Sequence, residues 1–117
     1  MNQINSYFVL LGALQECYRR CPEDLLGATL GGMDPNLWED YRPMNEEIYQ
    51  EWVDSSNYQS LDPSNAAQTI CKFLEHLKNR DPFYDFPQAI QTIQNMTQQE
   101  WNSLFQGADS KSQNYHF

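Results

Sequence analysis

Asp62-Pro63-Ser64-Asn65-Ala66-Ala67-Gln68-Thr69-Ile70-Cys71-Lys72-Phe73-Leu74-Glu75-His76-Leu77-Lys78-Asn79-Arg80 carries the most decisive pattern in the chain. Ala66, Ile70, Phe73, Leu74 and Leu77 recur at three- and four-residue intervals. That spacing builds one apolar face on an α-helix and no face on a strand. Asp62 is the expected cap, and Pro63 suits the first helical position, where its missing N–H has no partner to lose. Lys78 and Arg80 fall at the far end, where the helix dipole favours cations.

The same reading extends in both directions. Upstream, Ser6–Arg20 shows an apolar stripe of Tyr7, Leu10, Leu11, Leu14, Cys17, Tyr18 and Cys21, with Ser6 as cap and Arg19 and Arg20 in the last turn. Gly12 in that stripe suggests a close approach by another helix. Pro22-Glu23-Asp24 opens a shorter helix with Leu25, Leu26, Thr29, Leu30 and Met33 inward, and Gly31-Gly32 is expected to stop it. Asp34-Pro35-Asn36 then reads as a turn, and Leu37–Tyr41 as one further helical turn before Pro43. Asn45 caps a third helix, with Met44 set to pack on Tyr49, Glu46 and Glu47 in the first turn, and Ile48, Tyr49, Trp52 and Val53 on its apolar face. Ser55–Ser60 is a polar connector.

Downstream, Asp81–Pro87 is an aromatic-rich loop that leads to a helix with Ile90, Ile93 and Met96 inward. Thr97-Gln98-Gln99-Glu100 has the residues of a capping box, flanked by Met96 and Trp101 as a hydrophobic staple. The helix it opens buries Trp101, Leu104 and Phe105 and is expected to end at Gly107, so the domain spans 1–107 and the polar segment 108–117 forms a flexible tail. Strand signals are missing throughout. The expected fold is all-α, a compact bundle of five to six helices in a single domain, as suits a chain of 117 residues. A domain of this size buries roughly two-thirds of its unfolded surface, enough for a core without metal or disulfide staples.

The formal net charge is −9, and its placement says more than its size. Ten acids lie between Glu23 and Asp62 against one base, Arg42, while the rest of the chain carries six of each. A field of one sign repels nucleic acid and anionic lipid and speeds encounter with a cationic surface. Direct nucleic-acid binding is therefore not expected. No run approaches a membrane span; the opening residues lack the basic region of a signal peptide, and the apolar stretch from Tyr7 to Leu14 is too short and has no cleavage-like site behind it. Three cysteines make an odd number, which argues against a secreted disulfide framework and for the cytoplasm.

Residue constellations for chemistry are missing. Cys17 and Cys21 lie four apart, but a metal site needs more ligands than Cys71 and His76 offer. His76 sits beside the buried stripe with no orienting partner visible in sequence, as a general base would require. The acids coincide with helix caps and solvent-facing positions, so no catalytic pair stands out among them. Phosphate-cradling, calcium-loop and nucleophile-elbow motifs do not occur. No catalytic activity, cofactor or metal is expected.

Leu37-Trp38-Glu39-Asp40-Tyr41-Arg42-Pro43-Met44-Asn45-Glu46-Glu47-Ile48-Tyr49-Gln50-Glu51-Trp52 mixes four large rings with six charged side chains, five of them acids. Aromatic anchors ringed by charge are the composition of a protein interface, here one for a basic partner such as a toxin or a nucleic-acid-binding protein. Trp38, Glu39, Asp40, Tyr41, Glu46, Glu47 and Glu51 are the candidate contact residues. In the alternative arrangement the rings pack the core and the acids merely face water; helical spacing favours this for Tyr49 and Trp52.

Asp24-Leu25-Leu26-Gly27-Ala28-Thr29-Leu30-Gly31-Gly32-Met33, followed by Trp38-Glu39-Asp40 and Glu47-Ile48-Tyr49-Gln50-Glu51-Trp52, resembles the small acidic immunity-type proteins of bacterial polymorphic toxin and contact-dependent inhibition systems. The likeness covers about residues 7–55. Where those proteins carry an Asp-Gly turn, this chain has Asp34-Pro35-Asn36. The resemblance implies a non-enzymatic inhibitor that neutralises a basic toxin by stoichiometric binding. The same charge pattern also suits a phage-type nucleic-acid mimic that blocks a DNA- or RNA-binding complex.

Overall fold

The computed structural model describes residues 1–33 and 46–113. Among them are six α-helices and no strand: α1 (Gln3–Arg20), α2 (Asp24–Met33), α3 (Glu46–Ser55), α4 (Ala66–Arg80), α5 (Pro87–Asn95) and α6 (Gln98–Ser112). Short 3-10 turns, Tyr58–Ser60 and Pro82–Tyr84, precede and follow α4. The all-α bundle expected from sequence is the fold.

α1 is its central element. Tyr7, Phe8, Val9, Leu10, Leu11, Ala13, Leu14 and Cys17 are all buried, so this helix meets neighbours on several sides. It packs against α6, α5, α2 and α3, while α4 lies against α5. Gly12 serves the α1–α6 contact: a Cβ there would stand 3.2 Å from Leu104 Cδ2, tighter than side chains normally approach. The cap of α1 is Asn2, whose Oδ1 accepts from the Asn5 amide at 2.8 Å. Ser6, the expected cap, lies one turn inside and fully buried, where its hydroxyl serves another helix.

Two glycine stops are overridden. α2 continues through Gly31-Gly32 to Met33, which has no exposed surface. Each glycine costs about 1 kcal/mol relative to alanine in a helix, and burying a methionine side chain recovers about 1.5–3 kcal/mol. The buried stripe is Leu26, Thr29 and Met33, which turns Leu25 outward against expectation. α6 likewise passes Gly107 and runs to Ser112, with Ala108 and Ser112 buried. Its last turn is latched to α1: Asn5 Nδ2 donates to Asp109 Oδ1 at 3.2 Å, and the Ser112 hydroxyl donates to Asn5 Oδ1. Residues 108–112, expected to belong to a tail, thus complete the helix.

Other local expectations agree closely. Ala66, Ile70, Phe73, Leu74 and Leu77 of α4 are all buried. One expectation there is corrected: Asp62 does not cap α4, whose N-cap is Asn65, but closes the turn before it, accepting from the Ser64 amide at 2.8 Å and the Asn65 amide at 3.2 Å, and Pro63 lies in that turn and not at the first helical position. Thr97 and Glu100 form a complete capping box at the start of α6. α5 has no side-chain cap from its own N-cap residue, Phe86; instead Glu23, just before α2, accepts from the Ala89 amide at 3.0 Å. A carboxylate from a distant segment thereby satisfies an amide in the first turn of α5, where the dipole favours negative charge.

Candidate functional site

α3 is the part of the acidic segment that the described residues contain. Ile48 and Trp52 point into the core, one turn apart, and fix the helix by their burial. Trp52 meets the Phe73 ring edge to face at 5.1 Å, and its Nε1 donates to Ser6 Oγ at 3.0 Å. The Ser6 hydroxyl donates in turn to the Gln3 carbonyl at 2.7 Å. Every polar atom in this relay has a partner, as a buried indole N–H requires.

With Ile48 and Trp52 inward, Glu46, Glu47, Gln50 and Asp54 are exposed and Glu51 is half-buried. Arg80, from the end of α4, reaches across this face. Its Nη1 lies 3.0 Å from Glu47 Oε1, and its Nε 2.8 Å from Glu51 Oε1. Burial works against the guanidinium charge, but Glu51 and then Glu47 outweigh it and hold Arg80 above its ordinary pKa. Tyr84 stacks beneath the guanidinium, 5.3 Å from centroid to Cζ. His76 Nε2 stands 3.4 Å from Glu51 Oε2 and its ring stacks on Phe73.

Of the seven candidate contact residues, Glu46 and Glu47 are exposed on α3 and Glu51 is turned toward α4. Trp38, Glu39, Asp40 and Tyr41 lie outside the described residues, as do the expected turn at 34–36, the helical turn at 37–41 and the Met44–Asn45 helix start. Tyr49 and Trp52, the other two rings of the segment, belong to the packing: Trp52 is buried and Tyr49 meets the Tyr7 ring at 5.0 Å. Arg80 was legible in sequence only as a helix-end cation. Its pairing with residues about thirty positions earlier leaves no local trace.

The thiols are placed as small apolar groups. Cys17 is buried and donates to the Ala89 carbonyl at 3.6 Å; burial pushes its pKa up to about 12. Burial also raises Cys71, which points at the Ile90 carbonyl at 3.9 Å. No group of three or more His, Cys, Asp or Glu side chains among the described residues is placed to hold a metal ion. No helix among them is long and apolar enough to cross a membrane. Compared with protein-family models, curated proteins and solved structures, the chain matches none.

Proposed function

We propose that this chain is a non-enzymatic acidic binding protein that captures a basic protein, acting as an immunity or inhibitor protein that occludes a toxin stoichiometrically. The observation that carries this function is the concentration of charge: ten acids against one base between Glu23 and Asp62, around Trp38 and Tyr41. The geometry of α3 supports it. Glu46 and Glu47 stand on a helix anchored by Ile48 and Trp52, so a partner would meet carboxylates whose backbone is already ordered. Ordering in advance lowers the entropic cost of association. Of the four carboxylates of α3 (Glu46, Glu47, Glu51 and Asp54), Arg80 lies against two, Glu47 and Glu51.

Copurification of the full chain from the organism that makes it tests this function. The expected result is a 1:1 complex with a basic toxin whose activity is blocked in the complex. Capture of a nucleoprotein complex that added DNA competes away would instead identify a nucleic-acid mimic. Recovery only as a free monomer in every condition contradicts both.

A further inference from the structure

The contacts of Arg80 reach beyond the acidic face of α3. While its Nη1 and Nε meet Glu47 and Glu51, its Cζ stands 5.3 Å from the ring centroid of Tyr84, in the 3-10 turn Pro82–Tyr84 that follows α4. The Tyr84 ring in turn meets the Phe83 ring edge to face at 5.4 Å. A short chain of contacts therefore runs from the carboxylates of α3, through one guanidinium, to Phe83.

Phe83 is 41% exposed, one of four large hydrophobic side chains left open to solvent among the described residues. A single exposed apolar side chain is ordinary on a protein surface. What sets Phe83 apart is how firmly it is held there. Its amide donates to Asp81 Oδ1 at 3.0 Å, the Tyr84 amide to the Asp81 carbonyl at 3.0 Å, and the Asp85 amide to the Pro82 carbonyl at 3.2 Å. Pro82 and Pro87 restrict the backbone on either side. Tyr84 also stands edge to face on Phe86 at 6.4 Å, and Phe86 is fully inside the core. The Phe83 ring is thus presented on a turn ordered in advance. Its surroundings are acidic: Asp81 and Asp85 flank the turn, and α2, which packs against the turn, begins with Asp24. All three aspartates are exposed, and Lys78, 3.8 Å from Asp85 Oδ1, offsets one of them.

A rigid aromatic side chain ringed by charge is the form that binding hot spots take, and a pre-ordered turn lowers the entropic cost of burying it. We propose that Phe83 is the apolar anchor of the surface that holds the basic protein partner: the ring enters a socket on that protein, and lysine or arginine side chains at the rim of the socket pair with Asp24, Asp81 and Asp85. This inference rests on the function proposed above and divides the work within one interface. Charge on α3 governs how fast the partner arrives, and the Phe83 ring governs how long it stays. An interface of standard size covers about 800 Å² of each protein, enough to take in α3 and the turn to which Arg80 links it.

Association and dissociation rates of the full chain with the basic protein recovered by copurification, compared for wild type, Phe83→Ala and the control Gln106→Ala on α6, test the anchor. F83A should dissociate ~10-fold or more faster than wild type, associate within about two-fold of the wild-type rate, and keep the wild-type helical content. Q106A should match wild type in both rates. A photocrosslinking p-benzoylphenylalanine in place of Phe83 should join the chain to that same basic protein, whereas one in place of Gln106 should not; this measurement decides the matter if F83A loses helicity. An unchanged F83A dissociation rate, no adduct from position 83, or an adduct there only with a second copy of this chain would overturn the anchor. Salt-dependent association in those cases would leave capture through the acidic face standing. Recovery of no basic protein at all would remove both the anchor and the function on which it rests.

Discussion

Arg80 Nε lies 2.8 Å from Glu51 Oε1, so the last turn of α4 is tied to the middle of α3 by an ion pair between residues with no sequence proximity. The Glu51 side chain is 18% exposed and that of Arg80 36%, which places the pair at the boundary of solvent. Glu47, 65% exposed, adds a second and weaker contact to the same guanidinium. One cation thus orients two of the carboxylates that the sequence marks as partner-binding. Arg80→Met is expected to lower stability by about 1 kcal/mol, the upper end for an exposed pair because Glu51 is partly desolvated. Urea denaturation measures it, and the loss should shrink in E51Q, where no buried charge is left unpaired.

The Trp52–Ser6 contact should be the more costly one to break. Ser6→Ala strands the indole N–H in the core and is expected to cost about 1–3 kcal/mol. Trp52→Phe removes the donor and some ring volume together. The double variant S6A/W52F should be less destabilised than the sum of the singles by about 0.5–3 kcal/mol. Thermal or chemical denaturation of the four proteins closes this cycle, and strict additivity would mean that the hydrogen bond contributes nothing.

Glu23 caps a helix to which it does not belong. Glu23→Ala is expected to lower stability by about 1 kcal/mol, as removal of a helix cap does. Hydrogen exchange should locate the effect, with faster exchange at the Ala89 amide and in the first turn of α5. Uniformly faster exchange over the whole domain, without that focus, would show that Glu23 acts in some other way.

Acid should weaken the fold through Glu16. Its side-chain hydrogen bond to Arg19, followed by that to Arg20, holds its pKa at about 2, against an ordinary value of 4.5. A carboxylate whose pKa is lower in the folded state stabilises that state above the unfolded pKa and loses the contribution as pH falls. Stability is therefore expected to decline as pH drops from about 4.5 toward 2. Asp62, lowered by the Ser64 hydroxyl and amide and by the Asn65 amide, acts in the same direction. Denaturant titrations at successive pH values should show a shallower decline for E16Q than for wild type.

Sequence pattern identified the helices well where burial and local preference agree. The α4 stripe from Ala66 to Leu77 and the Thr97–Glu100 box are such places, since each is encoded within a few turns. Local reasoning failed where tertiary burial overruled it. Gly31-Gly32 and Gly107 are poor helix residues in isolation, yet Met33, Ala108 and Ser112 beyond them are buried, and the helix continues to reach them. Ser6 looks like a cap because serine usually caps; its actual partner, Trp52, is 46 residues away. The acidic face of α3 was legible from Glu46 and Glu47, whereas the cation that organises it was not.

The rate of association with the basic partner recovered by copurification, measured by stopped flow across salt concentrations, tests the central claim most directly. The informative comparison is wild type with E39K/D40K/E46K; Glu47 is left in place because a lysine there would face Arg80 and confound binding with folding. An electrostatically steered encounter predicts a wild-type rate that falls by ~10-fold or more from low to high salt. The variant should associate more slowly and with a flatter salt dependence, while retaining the wild-type helical content. A wild-type rate insensitive to salt, or a variant that associates as fast as wild type, would contradict capture through the acidic face.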